Sequence, residues 1–176
     1  MLGALGINGK RVTVLSKDGL TDFMRSIIFS KETKEPFYIL DLGAVTTLMD
    51  RWTPALPMVQ PHYAVKCNPN LNFLGAMAAL GSNFDCASQA KIESILSQGV
   101  SPDRIIFANC CKAESHIKYK ESVGVNLTTF DSMDVIENMQ KWHPKWDLII
   151  PIKAPDYSGA DCPLGVIYIG IYMDKL

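Results

Sequence analysis

The chain has 176 residues, 17 basic and 18 acidic, with 48% hydrophobic and 20% charged, which leaves room for one globular domain or part of a larger one. A formal net charge of -1 supplies no electrostatic pull toward nucleic acid or an anionic membrane. No apolar run approaches the roughly 20 residues that span a bilayer, and the opening MLGALGINGKRV lacks the basic-then-apolar layout of a signal peptide, so the expected location is cytoplasmic.

Residues 1–35 mix Gly, Lys, Ser and Asp with two apolar patches, Val12 to Leu15 and Phe23 to Phe29, and read as an N-terminal extension. From Pro36 a rhythm sets in, a short apolar run followed by a helix-length segment. The runs Phe37 to Leu40, His62 to Cys67, Asn83 to Cys86, Arg104 to Ala108, Asn126 to Phe130 and Asp147 to Ile152 predict strands. Between them Gly43 to Trp52, Asn72 to Leu80, Gln89 to Gln98, Lys112 to Val123 and Ser132 to Trp142 predict helices. Asp41, Ser88 and the pair Asp131-Ser132 stand where helices would be capped. Gly81, Gly99 and Gly124 fall where three of them should stop.

Units of about 20 residues are close to the minimum for a strand, a helix and two loops, and five or six in series suit a β/α barrel, although an open doubly wound sheet shares the local pattern. A complete eight-unit barrel typically takes about 250 residues. The last stretch, Gly165 to Leu176, alternates like a strand with no helix after it and would leave an apolar edge.

Five cysteines, Cys67, Cys86, Cys110, Cys111 and Cys162, form no CxxC pair and are expected to be free thiols. His62, His116 and His143 lack metal-ligand spacing, so no metal site is expected. Asn126-Leu127-Thr128 fits a glycosylation pattern but lies in an apolar strand. Trp52, Trp142 and Trp146 are expected to pack a helix layer outside the sheet.

Lys66 closes the apolar run His62-Tyr63-Ala64-Val65-Lys66-Cys67. Burying an ammonium there is costly, and the same cost favours a neutral amine able to form a Schiff base with a carbonyl, including the aldehyde of pyridoxal phosphate (PLP). The alternative is a lysine that snorkels to solvent at a strand edge. Asp85 ends the next run at the same rim, where a carboxylate could hold a cofactor or merely cap the following helix.

Several separate blocks carry a family resemblance. Pro61 to Asn68, then Asp85-Cys86-Ala87-Ser88, then Pro102 to Asn109, then Cys111-Lys112, then Thr129-Phe130-Asp131-Ser132 together resemble eukaryotic ornithine decarboxylase. Pro36-Phe37-Tyr38 with Asp41-Leu42-Gly43 is similar to that family's first strand and turn. The resemblance runs in unbroken order over about residues 35–165.

The resemblance implies an α/β fold, a partial PLP-binding (β/α)8 TIM barrel of the alanine racemase type, truncated after about five or six βα units. The layout expected is an extension over 1–35, the partial barrel over 36–165 and a divergent tail over 166–176. It implies PLP as cofactor, ornithine as substrate, putrescine and CO2 as products, and a head-to-tail homodimer. Lys66 matches the lysine that holds PLP, and Asp85 an acidic active-site residue near it.

The departures are specific. The family usually has a glutamate six residues after the aspartate, where this chain has Lys91, and an arginine where this chain has Pro151. Asn109-Cys110-Cys111-Lys112 stands for Asn-Pro-Cys-Lys, and Leu164-Gly165-Val166-Ile167-Tyr168 for Leu-Gly-x-Lys-Tyr. The family's phosphate cradle, ring-stacking histidine and pyridine partner have no counterpart in the residues present, so little decarboxylation is expected from this chain alone. The alternative is a non-catalytic, antizyme-inhibitor-like relative that pairs with a full-length decarboxylase or its regulators, through a stretch resembling Glu114 to Glu137. Unpaired edges and an uncovered sheet face lead us to expect dependence on a partner, or aggregation.

Overall fold

The structure, a computed structural model, describes residues 12–16, 19–31, 35–109, 112–130, 132–142, 145–153 and 168–173. Helix α1 (Leu20–Lys31) occupies the segment read from sequence as an extension. Its Phe23, Met24 and Ile27 are partly buried, spaced three and four apart as one helical face requires. Then come α2 (Leu42–Ala55), β1 (His62–Ala64), α3 (Leu71–Ala79), β2 (Asn83–Cys86), α4 (Gln89–Leu96), β3 (Ile105–Phe107), α5 (Glu114–Ser122), β4 (Leu127–Thr129), α6 (Met133–Trp142), β5 (Asp147–Lys153) and β6 (Tyr168–Met173).

The boundaries follow local chemistry. The Asp41 carboxylate accepts from the amides of Gly43 at 2.9 Å and Ala44 at 3.3 Å, starting α2. Ser88 is the N-cap residue of α4, but its side chain makes no capping bond. Just past α4, Gly99 takes φ +77°, and a Cβ placed on it would meet nothing within 4 Å, so glycine is needed there for conformation rather than space.

The strands line up in sequence order, β1 through β6, in one sheet. β1 to β5 are parallel. A strand order without reversal, with the right-handed crossovers of βα units, puts every connecting helix on the same face. That is a barrel wall and not a doubly wound sheet, which reverses its strand order. α2 lies beside α3, α4 beside α5 and α5 beside α6.

Alternation along the strands then divides the side chains. Val65, Phe84, Cys86, Ile105 and Phe107 are fully buried and pack in one core with Leu74, Ile92 and Ile95 from the helices. On the opposite face the register sets His62 beside Asn83 and Ala64 beside Asp85, and Ala64, Asn83, Asp85, Leu127 and Thr129 are only partly buried.

Two expectations need correction. Phe37 to Leu40 forms no strand, because it pairs with none of the six strands, of which β1 is the first. Tyr38 is fully exposed at 101%, and residues 37–40 with 12–15 and α1 line an apolar cavity of about 710 Å³. The strand expected over His62 to Cys67 also ends early, at Ala64.

The tail does supply a strand. β6 runs antiparallel to β5, from Leu148 opposite Met173 to Lys153 opposite Tyr168, and sets Pro151 across from Gly170. Cys110, Cys111, Asp131, His143, Cys162 and residues 154–167 lie outside the described residues.

Candidate functional site

The site is built at the C-terminal rim of β1 to β4. After Ala64 the chain turns through residues 65–67, with the Cys67 amide donating to the Ala64 carbonyl at 3.0 Å. Val65 takes the fully buried position, and its amide donates to the Asp85 carbonyl at 3.0 Å. Lys66 and Cys67 are thereby delivered to solvent. Of the two alternatives for Lys66, burial and exposure to solvent, the second describes its position, since the turn rather than a longer strand carries it.

Asp85 lies in β2 opposite Ala64 and is partly buried. Burial raises its carboxyl above the usual range, while the charges of Lys66, His62 and Lys91, in falling order, act to lower it. Its alternative reading as a helix cap falls away, because Ser88 holds the N-cap of α4. The His62 ring places Nε2 3.4 Å from Asn83 Nδ2 and Nδ1 3.3 Å from the Gln60 carbonyl. Partial burial of that ring lowers its pKa, opposed by the Gln60 carbonyl and by Asp85. The sequence-predicted pair, Lys66 and Asp85, is therefore brought together, with His62 and Lys91 added.

The rest of the rim is a frame. Asn109 Nδ2 donates to the Ala87 carbonyl at 3.0 Å, linking the ends of β2 and β3. The Lys112 ammonium donates to the carbonyls of Asn109 and Thr129 and lies 5.7 Å from the centre of the Phe107 ring, linking β3 to β4. Lys112 serves the frame through these bonds. Cys86 points into the core, where burial and the Asp85 charge push its thiol up to about 12, leaving it in the inert thiol form at neutral pH.

Two charged residues escape sequence reasoning. Lys120 of α5 is fully buried, with Nζ 3.4 Å from the Asn126 carbonyl. Burial, then the Lys112 charge, lower it to about 7 against the pull of Asp147. Its spacing of three from the buried Ile117 is the available signal. Arg104 sends Nη2 to the Ala78 carbonyl at 2.9 Å and the Ser82 carbonyl at 2.6 Å, clamping the end of α3 to the start of β2.

Residues 42–166 match the family described as pyridoxal-dependent decarboxylase, pyridoxal binding domain. The chloroplastic ornithine decarboxylase of Nicotiana glauca is 54% identical over 164 residues, 92% of this chain and 38% of that one. Among solved structures, the arginine decarboxylase of Paramecium bursaria Chlorella virus superposes with a TM-score of 0.74 at 34% identity, over 79% of this chain and 38% of that one. The ornithine decarboxylase of Entamoeba histolytica superposes with a TM-score of 0.69 at 32% identity, over 73% of this chain and 41% of that one. The chain thus spans about two fifths of the length of these relatives.

Proposed function

The chain belongs to the pyridoxal-dependent decarboxylases, within their pyridoxal-binding domain, and from that premise we propose that it acts as an ornithine decarboxylase-like protein of polyamine synthesis. The cofactor of that family is pyridoxal 5'-phosphate, an anionic aldehyde. The residues present fit its aldehyde end, because Lys66 offers an exposed primary amine beside the carboxylate of Asp85. When bound, the cofactor supplies an electron sink for the pair left behind as CO2 departs.

The chain's own residues have separate tasks in this reading. Lys66 binds the aldehyde carbon through its amine. Asp85 holds the Lys66 ammonium nearby by opposite charge when that amine is free, at a position fixed by the Val65 amide on the Asp85 carbonyl. Asn109 and Lys112 keep the three strand ends in register, which is the orientation that catalysis needs from a scaffold. Ornithine is the substrate we assign, with putrescine as product, in the cytoplasm and in a homodimer. The units we assign are the extension 1–35, the barrel part 36–165 and the divergent tail 166–176. Turnover by this chain alone is expected to be low, since one face of its sheet stays partly open.

The single observation carrying this reading is the Lys66 amine on the strand-end rim next to Asp85. A second reading, an antizyme-inhibitor-like partner of a full-length decarboxylase that binds through residues 114–137, is favoured by Lys91, a cation acting on Asp85 where the resemblance calls for an acid. Release of CO2 from carboxyl-labelled ornithine, compared with arginine and lysine, separates the two. Release from ornithine that is lost in Lys66→Ala supports the enzyme. No release, together with cross-linking to a full-length decarboxylase, supports the partner.

A further inference from the structure

Two lysine ammonium groups and an imidazole act on Asp85, and they come from different elements. Lys66 stands in the turn after β1, His62 lies within β1, and Lys91 lies in the first turn of α4. α4 begins at Gln89, three residues after β2 ends at Cys86, so the first turn of α4 overhangs the same end of the sheet as the turn that carries Lys66. The Lys91 charge reaches both Asp85 and Cys86. Among the described residues the ion pairs are Arg25 with Asp22 and Lys118 with Glu114. Among those residues, neither Lys66 nor Lys91 is held by a carboxylate at ion-pair distance, so each amine can turn to an incoming ligand.

Two lysine charges acting on one partly buried carboxylate, with an imidazole beside it, give this end of the sheet a net positive charge. Such a charge draws in small anions and raises their local concentration. An anionic aldehyde that arrives there meets two nucleophiles. We propose that Lys91 is a second aldehyde-reactive amine of this site, so that an anionic aldehyde of the pyridoxal phosphate class divides between Lys66 and Lys91. The proposal rests on the reading that Lys66 takes that aldehyde.

The step balances without further reactants. The deprotonated amine nitrogen attacks the aldehyde carbon, a C=N bond replaces the C=O bond, and the oxygen leaves as water with both amine protons. Borohydride then delivers hydride to that carbon and solvent gives a proton to nitrogen, leaving a stable secondary amine. Attachment at Lys91 withdraws the aldehyde from Lys66, so Lys91 acts as a built-in competitor at the position where the resemblance calls for an acid.

The test treats the full chain with pyridoxal phosphate at equimolar concentration, reduces with borohydride and maps label by peptide mass spectrometry in four forms: unchanged, Lys66→Ala, Lys91→Arg and the double variant. Lys91→Arg keeps the cation and the fold while removing the primary amine. The expected result is label at Lys91 about tenfold above the exposed Lys145, increased in Lys66→Ala. Lys66 label should rise in Lys91→Arg, and unphosphorylated pyridoxal should lose the preference. Lys91 labelled no more than Lys145 while Lys66 is labelled overturns the proposal and leaves the reading of Lys66 standing. Label at Lys91 with none at Lys66 overturns the division between the two amines together with the reading of Lys66. Background label at both overturns both.

Discussion

The Val65 amide donates to the Asp85 carbonyl at 3.0 Å, and this bond extends the pairing of β1 with β2 one residue past the strand. It places the buried Val65 against the core and frees the next residue, Lys66, to solvent beside the Asp85 carboxylate. A backbone bond therefore sets the relation between the two groups on which the functional reading rests, and that relation survives side-chain exchange at either position.

Stability should depend on pH through Lys120. Its pKa is lowered to about 7 by burial, against about 10.4 for an unfolded lysine. Between those values the unfolded state binds the proton and the folded state does not, so stability rises with pH across that window and is least below pH 7. Lys120→Met should flatten this slope and stabilise the fold at pH 6, by at most on the order of 5 kcal/mol. Urea melts at pH 6 and pH 9 check it, and parallel slopes for the two chains would contradict it.

Arg104 should be structural. Its Nη2 bonds to two carbonyls, those of Ala78 and Ser82, and bonds from a charged donor contribute roughly 1.5 to 3 kcal/mol each. Arg104→Ala should cost about 3 kcal/mol in chemical denaturation and leave pyridoxal phosphate labelling at Lys66 unchanged in the folded fraction. A melt indistinguishable from that of the unaltered chain would show that the clamp between α3 and β2 adds no stability.

Trp142 fastens α6 to α5. Lys118 Nζ lies 3.7 Å and Lys141 Nζ 4.6 Å from the centre of its ring. Exposed cation-π contacts contribute about 0.5 to 1 kcal/mol each, so Trp142→Ala should destabilise by about 1 to 2 kcal/mol. Hydrogen exchange should quicken in α6 before it does in β2, and uniform acceleration across the sheet would tell against a local fastening.

Much of this fold can be read directly from sequence where short-range chemistry decides. Asn83 to Cys86 is a strand in sequence and structure alike because apolar residues alternate between Gly81-Ser82 and Ser88, and Asp41 caps α2 with the bonds its side chain suggests. Phe37 to Leu40 has the pattern of a strand and forms none, because a strand exists only with a neighbour to pair, which no local pattern specifies. α1 is hard to see in the sequence because Phe23 to Phe29 reads as one apolar patch, whereas in the helix its Phe23, Met24 and Ile27 are partly buried and Ile28 and Phe29 exposed. Of the candidate site, the pairing of Lys66 with Asp85 follows from two strand ends on one rim. The exposure of Lys66 does not, because it depends on where the β1 ladder stops. The burial of Lys120 depends on packing between α5 and the β4 to β5 region, and only its spacing from Ile117 hints at it.

The two described thiols should react very differently. Cys67 is exposed and Cys86 buried, with the Cys86 thiol pushed up to about 12. Iodoacetamide at pH 8 should alkylate Cys67 at least about 100-fold faster than Cys86. Comparable rates by peptide mapping would mean that the core around Phe84 and Phe107 opens readily.

If Lys66 is the amine through which this chain binds pyridoxal phosphate, label should gather there ahead of other lysines. The decisive quantity is the rate at which label appears at Lys66 after borohydride reduction, taken against Lys145 in the same digest and repeated in Asp85→Asn. The expected result is Lys66 labelled about tenfold or more above Lys145, with that preference raised when the Asp85 charge is removed and the rim becomes more positive. Lys66 labelled no faster than Lys145 in either chain would contradict it.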